Sequence, residues 1–280
     1  LSTLKPKQVY TGPLQAVILD WAGTVVDYGC MGPAAVFVHV FAEFNIDVTI
    51  AEARRFMGLA KRAHVQAICT LKTVKAQWRQ QHGRTPDEAD IDALYGMTEP
   101  MMISASEHHC ELIPGVAEAV DGWRRRGLRI GSTTGYTAPI MAVVRKKALD
   151  QGYAPDCMVC ATDVPAGRPM PWMAYLNLIR LQIHPPQACI KIGDTISDIE
   201  EGLNAGMWTI GLTQSGNELG LTRDDTQAMA PDELEGKLAH IETRYRNAGA
   251  HYIVRGIWEC PPLIDEIQQR LQQGEHPLWR

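Results

Sequence analysis

A parallel α/β sheet with crossover helices and one large helical insertion is the fold this sequence predicts. Three observations lead there. Short apolar runs alternate with longer amphipathic stretches, the pattern of strands buried on both faces with helices packed against them. One interval of more than a hundred residues, helical in pattern from about Gly32 to Ser106, interrupts that rhythm. Polar clusters recur where the apolar runs stop.

The expected strands are Ala16–Leu19, Leu128–Thr133, Cys157–Ala161, Cys189–Ile192, Trp208–Leu212 and Tyr252–Val254. Each is a short apolar run rich in branched residues, too brief to complete a buried helix. Between them, Gly115–Arg126 carries Val116, Ala119, Val120 and Trp123 at helical spacing, and Pro171–Leu181 reads as a second helix. A crossover between parallel strands needs only roughly a dozen residues. The long interval after the first strand therefore predicts a second, smaller domain over the sheet's edge. The expected division is residues 1–29 and 107–280 as a Rossmann-like α/β core, with 30–106 as an inserted helical cap.

Composition narrows the function. The chain has 280 residues, 27 Lys+Arg against 32 Asp+Glu and a net charge of -5, the balance of an ordinary globular protein. No basic footprint supports nucleic-acid binding. No apolar run approaches the roughly 20 residues that span a bilayer, and the amino terminus lacks a signal-peptide pattern. A cytoplasmic enzyme acting on a small molecule, away from membrane and nucleic acid, is the expectation. Seven cysteines, an odd number, point to free thiols in a reducing compartment. The Cys157-x-x-Cys160 spacing lacks a second ligand pair, so it reads as two strand cysteines rather than a zinc site. The Arg124–Arg126 and Lys146–Lys147 runs read as solvated helix faces.

The chemistry concentrates at the predicted strand ends: Asp20-Trp21-Ala22-Gly23-Thr24, then Thr133-Thr134-Gly135-Tyr136-Thr137, then Gly167-Arg168-Pro169, then Gly193-Asp194-Thr195-Ile196-Ser197-Asp198. In open parallel sheets ligands bind outside the carboxyl ends of the strands, so these clusters should converge. Carboxylates, small hydroxyl residues, glycines and an arginine are the groups that hold a phosphoryl group and a divalent cation. Singly, Asp20 also reads as a helix cap, Thr134 as a strand end and Asp198 as a first-turn charge.

The order Asp-x-x-Gly-Thr, Thr-Gly, a basic residue and Gly-Asp-Thr-x-x-Asp resembles the haloacid dehalogenase superfamily. That resemblance implies that Asp20 attacks phosphorus and forms an aspartyl-phosphate. It implies Mg²⁺ bound by Asp20, the carbonyl of Ala22 and Asp194, with Asp198 in support. Thr134 and Gly135 would bind phosphoryl oxygens, with Thr133 as the alternative one residue away, and Arg168 stands where most members carry Lys. The sequence departs from the general pattern at Ala22, where ordinary phosphatases of the superfamily have a second Asp as general acid for an oxygen leaving group.

Within the insertion, Ala53, Phe56, Met57, Ala60, Lys61, His64, Val65 and Ile68 fall at the spacing of one face of a single helix from Ala51 to Thr70. Lys61 then sits in an apolar stripe, either snorkelling to water or buried with a lowered pKa. Gly58 within that helix costs about 1 kcal/mol relative to Ala, which points to close approach by another group. A lysine that condenses with an aldehyde makes an electron sink, the help that a carbon leaving group needs.

Ala22 and Lys61 together resemble the phosphonoacetaldehyde hydrolases, the phosphonatases. The resemblance rests on Leu19–Thr24 with Asp27 and Gly29-Cys30, on Met57-Gly58-Leu59-x-Lys61-x-x-His64, on Ser132–Thr137, on Gly167–Pro169 and on Ala248–Tyr252. It implies a Schiff base at Lys61, in-line attack by Asp20, and release of acetaldehyde and phosphate in 2-aminoethylphosphonate degradation. It further implies His64 as a proton shuttle and Cys30, Met57 and Tyr136 around the substrate, with Cys30 open to a packing role. It implies a homodimer. A phosphate-ester hydrolase or phosphomutase of the same superfamily is the alternative, and a binding scaffold without turnover is the reading outside enzymes.

Overall fold

β1 (Ala16–Leu19) consists of four apolar residues, all fully buried, and it lies at the centre of the sheet. The computed structural model describes residues 10–277, so the outermost residues of the expected core segments, 1–9 and 278–280, lie outside them. Five helices follow β1: α1 (Met31–Ala42), α2 (Ile50–Arg54), α3 (Lys61–Cys69), α4 (Lys72–His82) and α5 (Glu88–Ser106). The chain then alternates: α6 (Val116–Arg125), β2 (Arg129–Thr134), α7 (Ala138–Asp150), β3 (Cys157–Cys160), α8 (Trp172–Leu181), β4 (Cys189–Gly193), α9 (Ile196–Ala205) and β5 (Trp208–Leu212). It closes with α10 (Arg223–Ala228), α11 (Pro231–Ala248), β6 (Tyr252–Val254) and α12 (Pro261–Gln272).

The six strands pair in the order β3-β2-β1-β4-β5-β6, every pair parallel. This is a Rossmann-like sheet, as expected. Its strand order reverses between β1 and β4, and the crevice outside that point is where such sheets bind ligands. Leu19 lies opposite both Ser132 and Ile192, so the residues following β1, β2 and β4 emerge side by side. Alternation along β1 sends Val17 and Leu19 to one core, shared with Ile130, Ile192 and Trp123, and Ala16 and Ile18 to the other, with Val159, Met173 and Leu178.

All six strands lie where expected, with shifts of one residue at three of them. Leu128 is not in β2, because its N–H closes the end of α6 by donating to Trp123 O at 3.1 Å. Thr134 joins the strand instead, opposite Cys160. Gly193 extends β4, and Ala161 opens a short 3-10 turn. All seven cysteines are buried and unpaired, including Cys157 and Cys160 in β3. Among the described residues no helix is long and apolar enough to cross a membrane.

The single helix expected over Ala51–Thr70 is corrected. Thr49 starts α2 with a capping box, its hydroxyl accepting from Glu52 N–H at 3.2 Å while the Glu52 carboxylate accepts from Thr49 N–H at 3.0 Å. The helix ends at Arg54, and a turn leads to Gly58 at φ +91°, in the left-handed region that breaks a helix. A new helix, α3, begins at Lys61. The close approach expected at Gly58 is real: a Cβ there would lie 2.2 Å from Ser197 Oγ.

Ile18 is fully buried in the central strand. Ile18→Ala is expected to cost about 2–5 kcal/mol, seen as a lower urea midpoint with an unchanged denaturant slope.

Candidate active site

Asp20 follows β1 directly, its N–H donating to Ile192 O at 3.0 Å. Asp194 follows β4 and Asp198 lies in the first turn of α9. All three are buried, and one carboxylate oxygen from each falls within 4.8 Å of the others. Thr195 caps α9 and donates to Asp198 Oδ2 at 2.6 Å.

Two buried cations meet this cluster. Arg168 donates from Nη2 to Asp20 Oδ1 at 2.6 Å and to Thr133 O at 2.8 Å, and from Nε to Glu201 Oε2 at 3.0 Å, while Nη1 lies 3.1 Å from Asp198 Oδ1. Lys191, wholly buried, puts Nζ 2.9 Å from Asp198 Oδ1, 3.0 Å from Glu201 Oε2 and 2.7 Å from Thr133 Oγ1. Four carboxylates (Asp20, Asp194, Asp198, Glu201) thus face two buried cations. Asp194 is the one left over. Its partners are the N–H of Asn217 at 2.8 Å, the Thr24 hydroxyl at 3.2 Å and the Cys30 thiol at 3.4 Å, and no ion pair reaches it among the described residues.

The ionisation tendencies follow. Burial pushes Asp194 well above the carboxylate range, and the neighbouring Asp20 and Asp198 charges push it the same way. Burial also raises Asp20, against the pull of Arg168. At Asp198 burial is outweighed by Arg168 and Lys191, which hold the carboxyl below its ordinary value. A buried, unpaired carboxylate beside a second one, with a third close by, is a donor set that fits a divalent cation.

The opposite wall comes from the helical insertion. A small cavity of about 20 Å³ is lined by Asp20, Ala22, Thr134, Gly135, Tyr136, Arg168 and Thr195 from the sheet side, and by Cys30, Pro33, Met57, Gly58 and Lys61 from the other. Every residue expected to contact substrate is here. Thr134 lines the cavity, whereas the Thr133 hydroxyl is committed to Lys191, Arg168 and Glu201. Burial keeps Cys30 a thiol by raising its pKa.

Lys61 opens α3 with its ammonium 4.6 Å from the centre of the Tyr136 ring and 5.6 Å from that of Phe37. It is 5% exposed, so the alternative of snorkelling to water is overturned. Burial lowers its pKa to about 8, with Arg168 adding to the effect and Cys30 and Asp20 opposing it. His64 does not line the cavity. It stacks on Phe37 at 3.8 Å, and its Nε2 lies 2.7 Å from Ala53 O. A carbonyl oxygen only accepts, so Nε2 carries the proton and Nδ1, buried without a partner, is the free acceptor. Burial, reinforced by Lys61, holds this imidazole neutral with a pKa of about 3.

Sequence reasoning missed Lys191 and Glu201. The signal was present: a lysine inside the apolar run Cys-Ile-Lys-Ile-Gly, and a glutamate three residues after Asp198 on the same helix face. Arg54 and Asn217, which join the insertion to the loop beside Asp194, were also unread.

A family model described as a haloacid dehalogenase-like hydrolase matches residues 14–206. A phosphonoacetaldehyde hydrolase from Syntrophobacter fumaroxidans is 49% identical over 96% of this chain and 97% of its own length. One from Nitratidesulfovibrio vulgaris is 49% identical over 96% of each. The chain belongs to the phosphonoacetaldehyde hydrolase family of haloacid dehalogenase-like hydrolases. The crystal structure of a phosphonoacetaldehyde hydrolase like protein from Oleispira antarctica covers 98% of this hydrolase at a TM-score of 0.96 and 40% identity. A hydrolase from Pseudomonas syringae, 17% identical at a TM-score of 0.66, shares the fold.

The buried lysine has a stability consequence. Its folded pKa, about 8, lies below the ordinary 10.5, so the folded state binds fewer protons between those values and stability rises with pH across that window. Lys61→Met is therefore expected to raise Tm at pH 7. The gain should shrink above pH 8 and vanish near 10.5 in a melting series.

Proposed function

We propose that this hydrolase cleaves the carbon–phosphorus bond of phosphonoacetaldehyde to give acetaldehyde and phosphate. One observation carries the proposal: a buried amine with a pKa of about 8 shares a small cavity with the Asp20 carboxylate, and the residue two beyond Asp20 is Ala22 rather than an acid. An oxygen leaving group has no proton donor at that position. A carbon leaving group needs an electron sink, and an amine on the facing wall supplies one.

In this reading the helices of residues 30–106 act as a cap that completes the site over the core. The Lys61 nitrogen adds to the aldehyde carbon, and loss of water leaves a protonated imine. Asp20 attacks phosphorus in line. The C–P electrons become the carbon–carbon double bond of an enamine while the imine electrons return to nitrogen. Protonation at carbon and hydrolysis release acetaldehyde and regenerate the amine, and water then cleaves the aspartyl-phosphate. Arg168, Thr134 and Gly135 hold the phosphoryl oxygens. Tyr136 and Met57 frame the imine, Cys30 packs as a neutral thiol, and His64 stays neutral behind Lys61, its free Nδ1 a hydrogen-bond acceptor in place of the expected proton shuttle. Mg²⁺ is assigned to Asp20, the Ala22 carbonyl and Asp194, with Asp198 in support, and when bound it offsets charge on the phosphoryl oxygens.

A bifunctional phosphonoacetaldehyde hydrolase/aminoethylphosphonate transaminase from Clostridioides difficile is 40% identical, and this chain spans 41% of its length. That pairing supports a place after transamination of 2-aminoethylphosphonate. Seven buried free thiols fit a cytoplasmic location. We assign a homodimer, which sizing in solution tests.

Borohydride added with phosphonoacetaldehyde is expected to leave a reduced two-carbon adduct on the Lys61 peptide. An unmodified peptide, or turnover by Lys61→Arg, overturns the imine, since a guanidinium cannot form it. Excess chelator is expected to stop phosphate release and added Mg²⁺ to restore it; an undiminished rate removes the metal. A generic phosphate ester assayed alongside should be hydrolysed far more slowly.

A further inference from the structure

Arg54 closes α2 and does not line the cavity, yet its side chain bridges the insertion to two loops at the carboxyl end of the sheet. Its Nη1 donates to Gly29 O at 2.6 Å and lies 3.2 Å from Asn217 Oδ1 and 3.5 Å from Asn217 O. Nη2 is 3.2 Å from Met31 Sδ. The Asn217 side chain returns a hydrogen bond to Arg54 O at 3.1 Å, and the Asn217 N–H holds Asp194 Oδ2 at 2.8 Å. One side chain thus joins the insertion helix, the linker between β1 and α1, and the loop that supports the unpaired carboxylate.

The loop is shaped for it. Gly220 has φ +65°, and a Cβ there would lie 2.9 Å from the Arg54 guanidinium carbon. The guanidinium is partly desolvated, with Nε buried and unpartnered, and no ion pair forms with it among the described residues.

The turn that follows Arg54 carries the rest of the contact. A Cβ at Gly135 would lie 2.5 Å from Leu59 O, and Gly58 abuts Ser197 and Thr195. Lys61 begins α3 immediately afterwards. The burial of Lys61 therefore depends on this turn staying down, and two polar tethers hold it: Arg168 Nη1, 3.5 Å from Gly58 O within the turn, and Arg54 at its start.

We propose that Arg54 is a positioning residue: it latches the cap to the core through Asn217 and Gly29, and so sets the fraction of molecules in which Lys61 is held over Asp20. The latch rests on the cap and Lys61 assignments above. Weakening it lowers the closed population, which raises the apparent KM by the same factor while substrate at saturation still draws the cap shut. A residue that merely stabilised the fold would lower Tm without that split.

The test uses Arg54→Gln and Asn217→Ala in the full chain, the second of which keeps the backbone N–H to Asp194. Without substrate, acetic anhydride labelling of Lys61 is read by peptide mass spectrometry against exposed Lys72. Both variants are expected to label Lys61 about tenfold faster with Lys72 unchanged, and to raise KM about tenfold with kcat within about threefold. The double variant should resemble either single one, because both break the same latch. Labelling within about twofold of the parent in both, or fully multiplicative effects in the double variant, overturns the proposal. If Arg54→Gln does not fold, Asn217→Ala decides it alone. Labelling needs no substrate, so its outcome stands apart from the assigned reaction.

Discussion

The site depends on a surplus of buried carboxyl groups over cations where the sheet's strand order reverses. Desolvating a carboxylate costs several kcal/mol unless it is paired, and here four are packed around two cations. The forked contacts of Arg168 follow from that constraint. Its planar fork reaches Asp20, Asp198 and Glu201 at once through three different nitrogens. Lys191 closes the network beneath it. Asp198 and Glu201 are each held by both cations, and Arg168, fixed by them, holds Asp20 at the cavity.

Core and insertion bring opposite materials to one space. The sheet side supplies carboxylates, hydroxyls, a guanidinium and the Tyr136 ring beyond the strand ends, while the insertion supplies an amine, a thioether and the Phe37 ring behind it. Neither half is a site alone. Their meeting buries both sets, which strengthens the electrostatics on one side and lowers the pKa of the amine on the other.

The strands were legible because parallel strands buried on both faces are short, nearly uninterrupted apolar runs, as in Ala-Val-Ile-Leu of β1. Asp20 and Asp194 were legible because each ends such a run. The break between α2 and α3 was not, because Phe56, Met57 and Ala60 keep helical spacing across it, and a glycine within a helical pattern does not announce its φ. Lys191 and Glu201 escaped because a charged residue in a strand or helix is ordinarily read as facing water. Their burial arises from pairing between β4 and α9, which lies beyond any local pattern. Arg54 escaped for the same reason, since its partners stand more than a hundred residues away at Asn217.

The break before Lys61 has a consequence of its own. The backbone N–H groups of a first helical turn carry roughly half a positive elementary charge, so a cation there is electrostatically out of place. Lys61 occupies that turn. In the proposed chemistry the iminium inherits this discomfort and the enamine is free of it. Breaking the bond to phosphorus is then also the step that discharges a buried cation, the direction in which the burial of Lys61 already leans.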